Sequence, residues 1–206
     1  MRNSWSIRIG VVLLPLAALA AWSNSFHGAF VLDDIPTIVA NPSIRRLGAL
    51  GAVLSPPKMG SPVTGRPLVN LTLALNYAIS GTAPWSYHAL NLLIHILAGL
   101  TLFGIVRRTL ARRVGAQSCG ASLEGRTGGA GFMPATEVGA RRAGINPALQ
   151  SDATLLAFAV ALWWTLHPLQ TEAVTYIIQR TESLMGLFFL LTLYCFIRGT
   201  ESERSE

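Results

Sequence analysis

The chain has 206 residues, 51% of them hydrophobic and only 13% charged, with 16 basic against 10 acidic side chains and a formal net charge of +6. A composition this apolar points to membrane spans before a soluble core. The basic excess is not a nucleic-acid signal, because seven of the 16 cations are gathered between Arg107 and Arg142, the pattern of a cytoplasmic loop under the positive-inside rule.

Four apolar runs follow in chain order. The first, IGVVLLPLAALAAW at residues 9–22, is preceded by Arg2 and Arg8. It fits an uncleaved anchor, and its basic start and Ala18-Leu19-Ala20 also fit a cleavable signal peptide. Either reading places residues 23–85 outside. The second, LNLLIHILAGLTLFGIV at 90–106, reaches the length of a span if its helix starts near Tyr87. The third, TLLAFAVALWWTL at 154–166, and the fourth, LMGLFFLLTLYCFI at 184–197, are short, and become spans when flanking polar residues join the helix. The fourth extends backwards through TEAVTYIIQRTES.

The basic flanks give one consistent orientation. Residues 1–8 form a cytoplasmic N-terminus. Residues 9–106 hold the first two spans and the outer loop 23–85. Residues 107–151 form a basic cytoplasmic loop, rich in Gly and Ala and without an apolar period, expected to be flexible. Residues 152–198 hold the third and fourth spans, and 199–206 a polar cytoplasmic tail. The outer loop carries Arg45, Arg46, Lys58 and Arg66, but a long loop counts little in this comparison. The expected fold is an all-α membrane protein with about four transmembrane helices and extracytoplasmic amphipathic helices. Cys119 and Cys195 have neither metal-ligand nor redox spacing.

Four polar clusters lie at or near the outward ends of these runs. Asp33 and Asp34 sit in FVLDDIPTIVANP at 30–42. Two adjacent carboxylates can act as general base, metal ligands or binders of a sugar hydroxyl, and equally as a turn capping a short helix. GRPLVNLTLALNYAIS at 65–80 is apolar but interrupted by polar residues, as in an amphipathic interfacial helix. It contains the sequon Asn70-Leu71-Thr72, a pattern that arises often by chance.

His88, Asn91 and His95 recur at i, i+3 and i+7, so one helical face carries them. They can bond between helices or wall a site open to the outer leaflet, and the spacing suits a zinc pair poorly. In LHPLQTEAVTYIIQRTES at 166–183, His167-Pro168 ends the third run, and Thr171 can cap a new helix. Glu172, Thr175, Gln179 and Glu182 would then form one polar face, with Tyr176, Arg180 and Ser183 beside it. Arg180 can pair with Glu172 or Glu182, or bind a lipid phosphate. No G-x-S-x-G, P-loop, H-E-x-x-H or dinucleotide glycine pattern occurs.

The order of these motifs carries a resemblance. An outer Asp-Asp is followed by N-P-S-I, then G-R-P-L-x-N-L-T-x-x-L-N-Y. Next come Y-H-x-x-N-x-x-x-H and L-H-P-x-x-T-E-A-V-x-Y-I-x-x-R-x-E. Over residues 10–198, apart from the Gly-rich insertion, this resembles the N-terminal membrane part of the transmembrane-and-TPR-containing O-mannosyltransferases and their bacterial relatives. These are similar to the protein O-mannosyltransferases, among the GT-C glycosyltransferases.

The resemblance implies a multi-pass enzyme that moves a sugar, mannose-like, from a polyprenyl-phosphate carrier to an acceptor hydroxyl of a protein or glycan at the outer membrane face. In a bacterium that membrane is the plasma membrane. It implies Asp33 and Asp34 as catalytic residues. It implies substrate contacts from Arg66, His88, Asn91, His95, His167, Glu172, Arg180 and Glu182. A divalent metal is compatible with this chemistry but not required by it, and nothing in it calls for nucleic acid. Such enzymes have many more spans and C-terminal tetratricopeptide repeats, so an incomplete GT-C-type fold is expected. That leaves two readings: an N-terminal piece of an enzyme, whose fold a second membrane chain would complete, or a non-catalytic truncated relative or subunit that packs against a larger membrane partner.

Overall fold

The computed structural model describes residues 2–56, 61–124 and 147–202. Helix α1 (Arg2–Trp22) leads into short helical turns at Ser23–His27, Ile35–Val39 and Pro42–Ile44. Then come α2 (Leu50–Val53), α3 (Pro67–Ser80), α4 (Trp85–Glu124) and α5 (Pro147–Leu166). A turn at Pro168–Gln170, α6 (Thr171–Thr175), a turn at Ile177–Gln179 and α7 (Arg180–Ser202) follow. No strand occurs among the described residues.

The protein is thus an all-α membrane protein, as its composition predicts. Among the described residues, three helical stretches are long and apolar enough to cross a membrane: Trp5–His27, Trp85–Arg113 and Ile177–Ser202. The third run belongs to a bent pair, Gln150–Leu166 and Pro168–Thr175, with a 52° break between the two parts. The cause is local. Pro168 has no N–H to continue the helix and forces His167 into an extended conformation, with ψ 135°.

The other three long helices pack around α4. Leu14, Phe103, Ala157 and Ala161 form one buried cluster, and Ala18, Trp22, Leu92, Ile96 and Val174 another. These pairings run α1 and α5 antiparallel to α4. Ile94 and Ala98 meet Leu187, and Tyr194 lies against Gly104, so α7 runs parallel to α4. Without a hydrophobic force between helices in lipid, close approach through small residues carries the packing. A Cβ on Gly99 would stand 2.5 Å from Thr165 Oγ1 and 3.1 Å from Leu14 Cδ2. Only glycine allows α1, α4 and α5 to meet there.

This arrangement brings the connectors 23–84 and 167–179 to one end of the bundle. The opposite end gathers the basic tip of the α4 span and the end of α7. Glu201 binds Arg108, and Arg112 at 3.3 Å, and Arg112 also donates to Ile197 O and Thr200 Oγ1, both at 2.9 Å. Two of the expected loop cations are therefore helix-end partners of α7.

The expectation of a flexible loop from residue 107 is corrected. Helix α4 continues through Glu124, past Leu110, Ala111, Arg112 and Arg113, which all favour helix, and 147–151 already belong to α5. The Gly-rich remainder at 125–146, Lys58, the Cys119 side chain and residues 203–206 lie outside the description. Cys195 is exposed on α7.

Connector 23–84 is folded rather than loose. Ile38, Ile44, Val53, Val63, Val69 and Leu73 bury one another against Tyr87, Ile177 and Ile178. Helix α3 lies where the 65–80 pattern predicts a helix, with Val69, Leu73 and Asn76 on its inner face and Leu68, Leu75 and Ile79 exposed. The first connector is thus a small cap, and its apolar floor is the second connector.

Candidate functional site

The two acidic residues adopt different roles as soon as the chain turns. Leu32 takes φ +46°, a left-handed conformation unfavourable for a side chain of its kind. Asp34 N–H then bonds to Val31 O at 2.9 Å, and the Asp34 carboxylate folds back onto Val31 N–H at 3.2 Å. Its other oxygen accepts the N–H of Ile178 at 3.1 Å. Asp34 is 1% exposed. It does not cap the turn Ile35–Val39 that follows, so the pair is a turn but not a helix cap. Asp33 is exposed, and its backbone N–H donates to Tyr176 Oη at 3.3 Å. Burial raises the Asp34 carboxyl above its usual 3.8. The N–H groups of Val31 and Ile178 and the Arg180 cation pull it down, and Asp33 pushes it up.

Both aspartates thus lean on one short segment, 176–178. The polar face expected there as a continuous helix from Thr171 is corrected. The chain leaves α6 at Thr175, extends at Tyr176 (φ −92°, ψ 113°) and restarts at Arg180. Side chains replace the lost helical hydrogen bonds. Asn91 Nδ2 donates to Tyr176 O at 3.3 Å and Ile177 O at 3.2 Å. Glu172 and Glu182 consequently sit on different elements, both exposed.

Arg180 is fully buried, and its pairing with Glu172 or Glu182 is corrected as well. Its Nε donates to Asn91 Oδ1 at 2.8 Å. One Nη donates to Asn76 Oδ1 at 2.7 Å and Thr72 Oγ1 at 3.3 Å, and the other to Tyr87 O at 2.8 Å. No carboxylate lies within ion-pair distance of it among the described residues. Four of its five N–H donors thus go to neutral oxygens.

The two histidines of α4 are both buried and meet backbone carbonyls of other segments. His88 Nε2 lies 3.3 Å from Gly28 O, and its buried Nδ1 has no partner among the described residues. Gly28 is needed there, since a Cβ would stand 2.9 Å from His88 Nε2. His95 Nε2 meets Thr165 O at 2.9 Å, a carbonyl that Trp22 Nε1 also reaches at 3.3 Å. That carbonyl is free because the helix breaks three residues later. The His95 ring stacks on Trp164 at 5.1 Å.

Of the remaining expected residues, Arg66 is exposed and donates to Pro62 O at 3.0 Å. His167 accepts from Leu169 N–H at 3.2 Å and lies edge-on to Trp163. His95 and Glu182 line a separate apolar cleft of about 380 Å³ between α4 and α7, floored by Ala98, Leu102 and Leu187. The structure therefore joins Asp33, Asp34, Asn91 and Arg180, and leaves Arg66, His95, His167, Glu172 and Glu182 apart from them.

Thr72, Asn76 and Tyr176, polar residues noted in the sequence but not expected at the site, also belong to this network. Thr72 and Asn76, polar at i and i+4 within an apolar helix, were the available signal. Among the described residues no three His, Cys, Asp or Glu side chains come together to hold a metal ion.

No family model and no solved structure matches the chain. Curated proteins do. It is 28% identical over 197 residues to protein O-mannosyl-transferase TMTC1 of Homo sapiens, covering 92% of this chain and 18% of that protein. It is 32% identical over 189 residues to protein O-mannosyl-transferase TMTC2 of Mus musculus, covering 87% and 18%. With protein O-mannosyl-transferase Tmtc3 of Drosophila melanogaster the identity is 29% over 191 residues, covering 89% and 18%. The chain spans less than a fifth of the length of these relatives. The resemblance carried by its motifs is a homology: nearly the whole chain is homologous to a portion of the protein O-mannosyl-transferases.

Proposed function

We propose that the chain forms the acidic-loop part of a multi-pass GT-C-type glycosyltransferase. Its substrates are a mannose-like sugar on a polyprenyl phosphate and a protein or glycan hydroxyl at the outer membrane face. The observation that carries this reading is the division of labour in the acidic pair. Asp34 is buried and tied down, while Asp33 stands exposed beside it at the end of the bundle where both connectors meet. Both termini then lie on the cytoplasmic side, in agreement with the cations at the opposite end.

In the reaction the acceptor oxygen attacks the anomeric carbon, and the bond from that carbon to the phosphate oxygen breaks. Asp33 takes the hydroxyl proton, and the polyprenyl phosphate leaves with the bonding electrons. Attack opposite the leaving group inverts the anomeric centre. A phosphate needs little acid assistance to leave, so one base suffices.

The test is mannose transfer from polyprenyl-phosphate mannose by the full-length gene product. Asp33→Asn is expected to lower the rate by about 10²-fold or more. Full activity in Asp33→Asn would refute the assignment of the base, and full activity in Asp34→Asn as well would remove the acidic pair from the reaction.

A second reading, a non-catalytic subunit docked on a larger membrane partner, is favoured by α7. Only 6% of its most apolar stretch is buried, against 50% for α4. Phe188, Phe189 and Phe196 are exposed along it. Transfer by the purified 206-residue chain would eliminate that reading.

A further inference from the structure

We propose that Asn91 and Arg180 are positioning residues of the acidic loop, holding segment 176–178 in the shape that grips Asp33 and Asp34. The role deepens the reading of Asp33 as base and rests on it. The geometry beneath it stands independently.

A guanidinium has five N–H donors and no acceptor. Arg180 Nε therefore requires that Asn91 present its carbonyl oxygen, at 2.8 Å. The Asn91 amide is thereby oriented, and its NH₂ must point the other way, at Tyr176 O and Ile177 O. Asn76 is fixed by the same logic, with its oxygen on Arg180 and its NH₂ on Ser86 O at 2.9 Å. A lysine could supply the charge but not this planar, three-way direction.

Segment 176–178 then has its carbonyls bound to α4, which frees the opposite edge of the backbone. The N–H of Ile178 finds no helical acceptor, because Tyr176 is extended, and Asp34 takes it at 3.1 Å. The Tyr176 side chain, carried on the same backbone, gives its hydroxyl to Asp33 N–H. The chain of contacts runs from Arg180 through Asn91 to the 176–178 backbone and ends on both aspartates. A buried cation without a carboxylate partner is costly, and an apolar residue of similar volume would pack here at less expense. What an apolar residue would lose is the direction it imposes on Asn91.

The sequence contains three aspartates, Asp33, Asp34 and Asp152. Carboxyl-¹³C aspartate labelling of the full chain in lipid nanodiscs therefore gives three resonances, readable without any substrate. The charged groups that face Asp34 are Arg180 and Asp33. In Arg180→Met and Asn91→Leu, Asp34 is expected to titrate at higher pH than in the wild type. The Ile178 amide is expected to exchange at least tenfold faster. Arg180→Lys should restore part of the titration and little of the amide protection. Tyr176→Phe keeps all four Arg180 contacts, and should speed exchange at Asp33 alone.

Wild-type Asp34 titration and an unchanged Ile178 amide in folded Asn91→Leu would overturn the proposal. Unchanged Asp33 exchange in Tyr176→Phe would do so too, and it stays decisive if the other variants fail to fold. Loss of transfer in Asp33→Asn is a separate observation. If that loss fails to appear while the exchange data hold, the assignment of the base is wrong and the positioning network is right.

Discussion

Asp34 Oδ1 and the backbone N–H of Ile178, 144 residues apart in sequence, are joined by a hydrogen bond of 3.1 Å. That bond stitches the first connector to the second and turns one of two adjacent carboxylates inward. Its partner Asp33 is left facing outward. The two residues are chemically identical, and the N–H groups of Val31 and Ile178 hold only one of them.

The same burial gives the fold a pH dependence. The Asp34 pKa is raised above 3.8 by desolvation. The folded state then holds the proton more tightly than the unfolded chain does. Stability is fully present below the unfolded pKa and is lost as pH rises through the folded one. Thermal unfolding in nanodiscs should show a midpoint that falls over that window. Asp34→Asn, which cannot ionise, should flatten it. A midpoint that rises across the window would contradict the account.

Gly99 should tolerate no side chain. A Cβ there meets Thr165 Oγ1 at 2.5 Å and Leu14 Cδ2 at 3.1 Å. Gly99→Ala is expected to destabilise the bundle by about 1–3 kcal/mol, the usual penalty for overpacking. Thr165→Ala removes the nearer obstacle, so the double variant should recover part of the loss. Additive losses in a double-mutant cycle would show that the two residues do not meet.

The sequon at Asn70 is expected to carry no glycan. Asn70 is 0% exposed, and its amide donates to Val53 O at 2.7 Å and Ser43 Oγ at 2.9 Å. Its oxygen accepts from Asn41 Nδ2 at 3.0 Å. Asn70→Ala should therefore lower stability by about 1–3 kcal/mol through unpaired buried groups, with no glycan-dependent change in gel mobility. A mobility shift abolished by Asn70→Gln would contradict this.

The sequence by itself determined the helical class, the positions of the apolar runs and the polar content of their ends. Hydropathy and length are local properties, and a helix in lipid satisfies its backbone within its own segment. The same locality let His167-Pro168 be read as the end of a run. The order of short motifs carried the family resemblance, because each motif is a contiguous string.

What the polar residues do was decided only by tertiary structure. Glu172 and Glu182 fall on one helical face in the sequence, yet the helix between them is broken. Asn91 and Asp34 reach in from elsewhere and take its backbone groups. Arg180 reads as a cation seeking an anion, and in the fold it is enclosed by neutral oxygens from α3 and α4. A hydrogen bond is made by whichever partner packing brings within about 3 Å, and spacing along one chain segment holds no record of partners a hundred residues away.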